Sequence, residues 1–442
     1  MAKILKTALF LFTKRANENI ICLTKFLGSK KVSKGISKKA FLPIFLCWIA
    51  YTVAYIGRYG YSASIEPIKD FYGVSETQVG LVGTMFFISY GVGQVLNGLL
   101  CKRYNKRLVV GVALIVSALL TFTLFLKIPF EYIKYVWLVN GIAQSFLWTS
   151  IINSVAATLK TKDLPMAIIA LGTSVGIGTF TVYGLTALFT YFNAFNYTFL
   201  VSAILMVAIG VIWLIFYSKV FVCQIEKSDE VVSVGEQKPT ANSNLQGSLT
   251  ALIILMIIFA IVNNFVKDGL STWAPSILKE SFNLSSSFSI FLTVLLPLSA
   301  TFGAVLNTFA ARKIKSFITQ GAFWYALSAI AMLIIVAFIN TSAWLIVLLL
   351  IAFNALFMAS INNLVTAIAP LYLRDRINTG FLSGILDGCC YVGSALSTIG
   401  FAAVKEMSGT WNNLFIILAV ICLVPLIVSI VYNVVQKFKI KK

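Results

Sequence analysis

Three ionisable side chains stand inside the long apolar runs of this sequence: Arg58, Lys267 and Asp387. A charge in such a run is costly in a lipid core, so it faces a protein interior or a water-filled path and marks function. Arg58 and Lys267 are 209 residues apart, near the ends of two corresponding runs. Facing each other, two cations repel unless an anion lies between them. The pair reads as an anion clamp, with Arg supplying a planar fork for phosphate or carboxylate and Lys a compact charge on a flexible stem. The alternative is snorkelling, in which both chains reach headgroups at one interface. Asp387 lies closest to the middle of its run. It either neutralises Lys267 in a buried pair or carries a proton, as intramembrane carboxyls do in transporters.

Other chemistry is excluded by composition. The chain has no histidine, so no imidazole base, His metal ligand or Ser-His-Asp triad can be assembled. The seven cysteines form no C-x-x-C pair and lie mostly in or beside apolar runs, where they serve as small hydrophobes. Gly172-Thr173-Ser174-Val175-Gly176 matches G-x-S-x-G, but it sits within an apolar run with no strand before it. No G-x-x-x-x-G-K-[ST] loop is present, so no P-loop motor is expected. Neither enzymatic activity, nor a metal, nor a cofactor is expected, and transport, if that is the work, runs on gradients.

The elements that hold these residues must be membrane helices. Only 11% of the residues are charged and 59% are hydrophobic, with a mean hydropathy of +0.92, whereas soluble proteins carry about 25% charged residues. Twelve runs, each long enough to cross a bilayer core, fall at 41–65, 79–100, 108–126, 135–158, 165–189, 196–218, 249–272, 287–311, 317–339, 343–367, 378–403 and 411–435. The expected fold is an all-α membrane protein of two pseudo-symmetric six-helix bundles. It divides into a basic amphipathic segment (1–40), a first bundle (41–218), a polar linker (219–248), a second bundle (249–435) and a basic tail (436–442). Leu5, Leu9, Phe12, Ala16, Ile20, Leu23 and Leu27 repeat at helical spacing within the first segment, which suits a helix on an anionic membrane surface; an unstructured basic tail is the alternative.

Lys and Arg concentrate in the loops on the side of the two chain ends, and the opposite loops are close to neutral. That distribution places both termini in the cytoplasm. It also accounts for the formal charge of +20 without nucleic acid. The 209-residue offset recurs: Gly57-Arg58-Tyr59-Gly60-Tyr61-Ser62 matches Val266-Lys267-Asp268-Gly269-Leu270-Ser271, Arg103 matches Arg312, and Gly184 matches Gly393. Two halves related by an axis along the membrane normal place a substrate at their interface. Asn140, Gln144, Asn153, Asn263, Asn264, Asn354, Asn362 and Asn363 either line that path or bond helices together.

The chain resembles the major facilitator superfamily, and within it the organophosphate:phosphate antiporters of glycerol-3-phosphate and hexose phosphates. Tyr55-Ile56-Gly57-Arg58 is similar to the family's phosphate-binding Tyr-x-x-Arg, and Ser89-Tyr90-Gly91-Val92-Gly93-Gln94 with Asn97-Gly98 to its span-two motif. Arg103-Tyr104-Asn105-Lys106-Arg107 resembles the Arg-x-Asn-x-Arg loop, and Lys267 to Pro275 the span-seven stretch. The departures are Tyr59 in place of a basic residue, Gln94 in place of a lysine, Lys267 in place of the second arginine and Lys102 in place of the loop Asp. Most of the span-five signature is also missing, with Ile169, Ala170, Thr173 and Ser174 in its place. The resemblance implies a secondary transporter of a small organic anion, foremost an organic phosphate exchanged for inorganic phosphate by alternating access. Arg58, Lys267, Tyr55, Tyr59 and Gln94 would bind the substrate, and Asp387 would serve coupling or a salt bridge. The alternatives are proton-coupled transport of a neutral or zwitterionic solute through Asp387, and a transporter-like sugar-phosphate receptor. The expected setting is the plasma membrane, as a monomer whose only partners are lipid and a small anion.

Overall fold

The computed structural model describes residues 38–100, 103–159, 163–222, 243–373, 376–377 and 379–440. Twelve long helices account for the fold. The first half comprises α1 (Lys38–Ala63), α2 (Glu76–Leu100), α3 (Lys106–Phe125), α4 (Phe130–Thr158), α5 (Leu164–Tyr191) and α6 (Tyr197–Tyr217). The second half comprises α7 (Ser243–Phe282), α8, α9 (Phe317–Phe338), α10 (Trp344–Asn363), α11 (Thr379–Ser408) and α12 (Asn412–Ile440). α8 is broken into Ser286–Thr293, Leu295–Ala300 and Gly303–Ala310. A short helix, Ile65–Tyr72, joins α1 to α2 and ends on Gly73, whose φ of 64° is open to glycine at little cost. Starts are set by side chains that satisfy free N–H groups: Asn105 accepts from the Arg107 amide, Ser285 from Phe288 and Ser316 from Thr319.

Eleven of the twelve are long and apolar enough to cross a bilayer. The twelfth, α4, has the length, at 29 residues, but its hydropathy is diluted by Asn140, Gln144, Ser145, Ser150 and Ser154, all buried. The bundle is correspondingly polar inside and apolar outside. Leu119, Ile204 and Val420 are exposed, while Asn140, Asn354 and Gln144 are fully buried. Ser117 donates to Asn140 at 2.6 Å between α3 and α4, and Asn354 to Ser328 at 3.0 Å between α10 and α9. These asparagines bond helices together.

Helix neighbours repeat with a shift of six. α1 packs on α5 as α7 does on α11, α2 on α4 as α8 on α10, and α3 on α6 as α9 on α12. Between the halves, α2 lies against α11 and α5 against α8, again counterparts. Close approach at the α2–α11 seam requires Gly80, where a Cβ would stand 2.6 Å from the Thr398 carbonyl oxygen. Thr84 Oγ1 reaches the Ala395 carbonyl across the seam at 2.9 Å.

At the end of the bundle away from the chain ends, ion pairs cross the pseudo-twofold axis. Lys279 Nζ stands 2.7 Å from Glu66 and 2.9 Å from Asp70, and Lys69 Nζ 2.7 Å from Glu280. Lys405 and the Trp411 indole also bind Glu280. Burial alone would lower the Lys69 pKa, but Glu66 and Glu280 outweigh it and hold the ammonium above the usual lysine range.

Several elements differ from the sequence expectation. α7 begins at Ser243, inside the expected linker, and runs to Phe282, ten residues beyond the expected end of that span. α12 continues to Ile440, through most of the expected tail. α8 is interrupted around Pro297 and Gly303, since proline lacks the N–H that a helix interior uses. The amphipathic segment through residue 37 and linker residues 223–242 lie outside the described residues.

Candidate functional site

α1 carries Tyr51, Tyr55, Arg58 and Tyr59 at spacings of three and four, so their side chains share its inward face. Arg58 is 5% exposed. Its Nε donates to Gln144 Oε1 on α4 at 3.1 Å, and Nη1 to the Tyr55 hydroxyl at 3.3 Å. The guanidinium carbon lies 4.1 Å from the Tyr90 ring centroid and 4.6 Å from that of Tyr55, so two aromatic faces hold it in a cation–π cradle. Gln144 is fixed in turn by donating to Ser117 at 2.9 Å. The Nη2 group has no protein partner, and no carboxylate stands within ion-pair distance of Arg58 among the described residues. Ser62, Phe86 and Trp137 border a small cavity with it.

The cradle reaches across the halves. The Tyr90 ring on α2 packs 4.4 Å from that of Tyr391 on α11. Tyr59 stacks on Tyr55 with ring centroids 5.7 Å apart. Gln94 is buried and donates to the Tyr90 hydroxyl at 2.9 Å while accepting from Thr149 at 3.2 Å, which links it to Arg58 through Tyr90. Lys267, on α7, is 25% exposed. Tyr55 and Asp387 each lie within the electrostatic range of both Lys267 and Arg58. Arg58, Lys267, Tyr55 and Asp387 thus form one constellation, with Tyr59 and Gln94 at its edge.

One expected contact is made by a different residue. Lys267 pairs with Asp268 Oδ1 at 3.4 Å, and no ion pair joins it to Asp387. The flexible lysine stem folds back on its own helical neighbour, which the short carboxyl of Asp387 on α11 does not replace. Asp268 Oδ2 accepts from Ser394 Oγ at 2.5 Å and from Asn264 Nδ2 at 3.2 Å, and Asn263 bonds both Asn264 and Asn362. Asp268 is therefore a fourth charge of the site, absent from the set of three drawn from the sequence. The apolar residues after it, Leu270, Trp273, Ile277 and Leu278, were the signal that the span continues and that Asp268 is buried rather than terminal. Tyr391 and the cradling role of Tyr90 were also missed, because an aromatic inside an apolar run does not stand out.

Residues 47–398 match the sequence profile of the Major Facilitator Superfamily. The chain belongs to this superfamily. It is 24% identical over 440 residues to Probable anion transporter 7 of Oryza sativa subsp. japonica, spanning 90% of this chain and 97% of that protein. It is 25% identical over 99 residues to Membrane sensor protein UhpC of Escherichia coli (strain K12), a match that spans 22% of this chain and only 23% of the sensor. Among solved structures, an inward-facing, occupied bacterial homolog of the human lysosomal transporter Spinster superposes with a TM-score of 0.65 at 14% identity, covering 90% of this chain and 98% of that one. That likeness concerns the fold. The protein is accordingly a multi-pass transporter-family membrane protein.

Proposed function

We propose that this protein carries a small organic anion across the plasma membrane by alternating access, foremost an organic phosphate exchanged for inorganic phosphate. The observation that carries the reading is the buried Arg58 guanidinium, which is positioned by Gln144, Tyr55 and Tyr90, has a free Nη2 and lacks a carboxylate partner. Buried cations are paired or neutralised, so this one calls for a mobile anion. Lys267 is the second arm once it leaves Asp268, and Tyr55, Tyr59 and Gln94 shape the pocket. Similarity to an anion transporter along nearly the whole chain supports the same reading. With both termini cytoplasmic, as the Lys and Arg distribution indicates, the ion pairs between Glu66, Lys69, Asp70, Lys279 and Glu280 lie at the outer face and tie the two halves together there.

The test is exchange in proteoliposomes loaded with inorganic phosphate and offered labelled sugar phosphates, glycerol-3-phosphate and sugar acids. Phosphate-dependent entry of a labelled phosphate ester supports the proposal, and entry of none of them contradicts it. The stretch shared with a sensor protein favours, as a second reading, a receptor of the same ligand class. A receptor binds the ester without moving it.

A further inference from the structure

Two cations and two carboxylates meet between the halves, and only one pair of them is in contact. Lys267 stands 3.4 Å from one oxygen of Asp268, whose other oxygen accepts from Ser394 and Asn264. Arg58 is held by neutral groups, with its Nη2 unpartnered. Asp387 is its negative counterpart: no hydrogen bond and no ion pair reaches its carboxylate among the described residues. It nevertheless lies in electrostatic range of Arg58, Lys267, Cys390 and Tyr391, inside the same constellation. The site therefore has one unpaired positive anchor and one unpaired negative anchor, too far apart to pair with each other and close enough to share a ligand.

A carboxylate accepts hydrogen bonds and donates none, so Asp387 needs a donor. Arg58 and Lys267 lower the Coulomb cost of its charge from a distance but bring no N–H to its oxygens. Water serves in the empty cavity. An ammonium group on the ligand serves better, because its hydrogen bond is charge-assisted and it cancels the charge as well. The aromatic lining suits the same group. The Tyr90 ring, which bears the Arg58 guanidinium at 4.1 Å, packs 4.4 Å from that of Tyr391. Aromatic faces able to hold a cation thus extend from α2 to α11, the helix that carries Asp387.

We propose that the ligand is bifunctional: an organic phosphate that carries a primary amine, with its phosphate on Arg58 and its ammonium on Asp387. This rests on the anion-carrier reading above and narrows its substrate class. A plain phosphate ester meets Asp387 as a like charge, which weakens its binding. The same ester with a terminal ammonium turns that repulsion into an attraction.

The test uses the full-length protein in phosphate-loaded proteoliposomes, with exchange of labelled inorganic phosphate as the readout. The competitors are ω-aminoalkyl phosphates with spacers of two to five methylenes, each compared with the ω-hydroxyalkyl phosphate of the same length. At a pH of about 7.5 the phosphates are mostly doubly ionised and the amines protonated. In the wild type, the amine of at least one length is expected to half-inhibit exchange at a concentration about ten-fold below that of its alcohol, the worth of one charge-assisted bond. Asp387→Asn is expected to move the two competitors in opposite directions, the amine weakening and the alcohol tightening, until they lie within about two-fold of each other. A general distortion of the site moves both the same way. Alcohols that equal or outcompete the amines at every length in the wild type, or an amine preference that survives in Asp387→Asn, overturn this inference and leave the anion-carrier reading standing. No phosphate exchange by the wild type overturns the phosphate reading and this inference with it. Should Asp387→Asn not exchange phosphate, Asp387→Glu decides: its longer carboxylate should shift the preferred spacer, and an optimum that stays at the wild-type length overturns the placing of the ammonium on Asp387.

Discussion

Arg58 concentrates the chemistry of the site, because each of its neighbours orients it and none neutralises it. Removing a buried charge partner from a bound anion costs about 2–5 kcal/mol, or roughly 30-fold to several-thousand-fold in binding. Arg58→Ala is therefore expected to abolish measurable exchange, and Arg58→Lys to restore part of it, with a raised KM because the planar fork is lost. Asp387 presents a like charge to the incoming anion from within range of both cations. Asp387→Asn should lower the KM for the anion several-fold while exchange persists, since the Lys267 pairing is made by Asp268. An unchanged or higher KM would count against the anion lying between Arg58 and Lys267. At this scale the sequence was partly legible. The offset of 209 residues located Arg58 and Lys267, and Asp387 stood out by depth. Asp268 escaped because it looked like a span-end charge, and α7 continues for four more turns, to Phe282.

The helices were legible for a different reason: apolar runs that cross a bilayer must satisfy their backbone internally, so run length translates directly into helix. What the runs did not reveal was where a helix breaks or overshoots, as in the three pieces of α8 and the extension of α12 to Ile440. The seam between α2 and α11 depends on small residues rather than on hydropathy. At Gly80, a side chain meets backbone oxygen of Thr398 at 2.6 Å, and that atom does not yield as a flexible side-chain end would. Gly80→Leu should push α2 away from α11, a strain of about 1–3 kcal/mol against the conformation tied by the ion pairs at that end of the bundle. Thr77 and Glu406 bond across that seam, with the Thr77 hydroxyl 2.6 Å from the carboxylate. Cysteines introduced at those two positions should cross-link readily in the parent and poorly beside Gly80→Leu. Equal yields would show that the seam does not need glycine there.

Across the whole molecule, the two halves are held at one end by a charge cluster on the pseudo-twofold axis, where Asp70 and Lys279 occupy equivalent positions and bind each other. Glu280 gathers Lys69, Lys405 and Trp411. Glu280→Gln removes the shared anion and should favour opening at this face, seen as faster labelling of a Ser62→Cys variant by an impermeant maleimide from outside. No increase in rate would remove the cluster from the gating of this end. The pH response has a defined sign. Lys69 is held above its unfolded value of about 10.4, so its contribution is complete below that pH and is lost as pH rises through the higher folded value. Closure at this end should therefore persist into mildly alkaline medium.

The account stands on Arg58 as the anchor of a transported anion. The most direct measurement compares wild type with Arg58→Ala in phosphate-loaded proteoliposomes, at equal protein incorporation, with labelled organic phosphate outside. The account predicts phosphate-dependent uptake by the wild type and none above protein-free vesicles by Arg58→Ala. Uptake by the variant at the wild-type rate would contradict it.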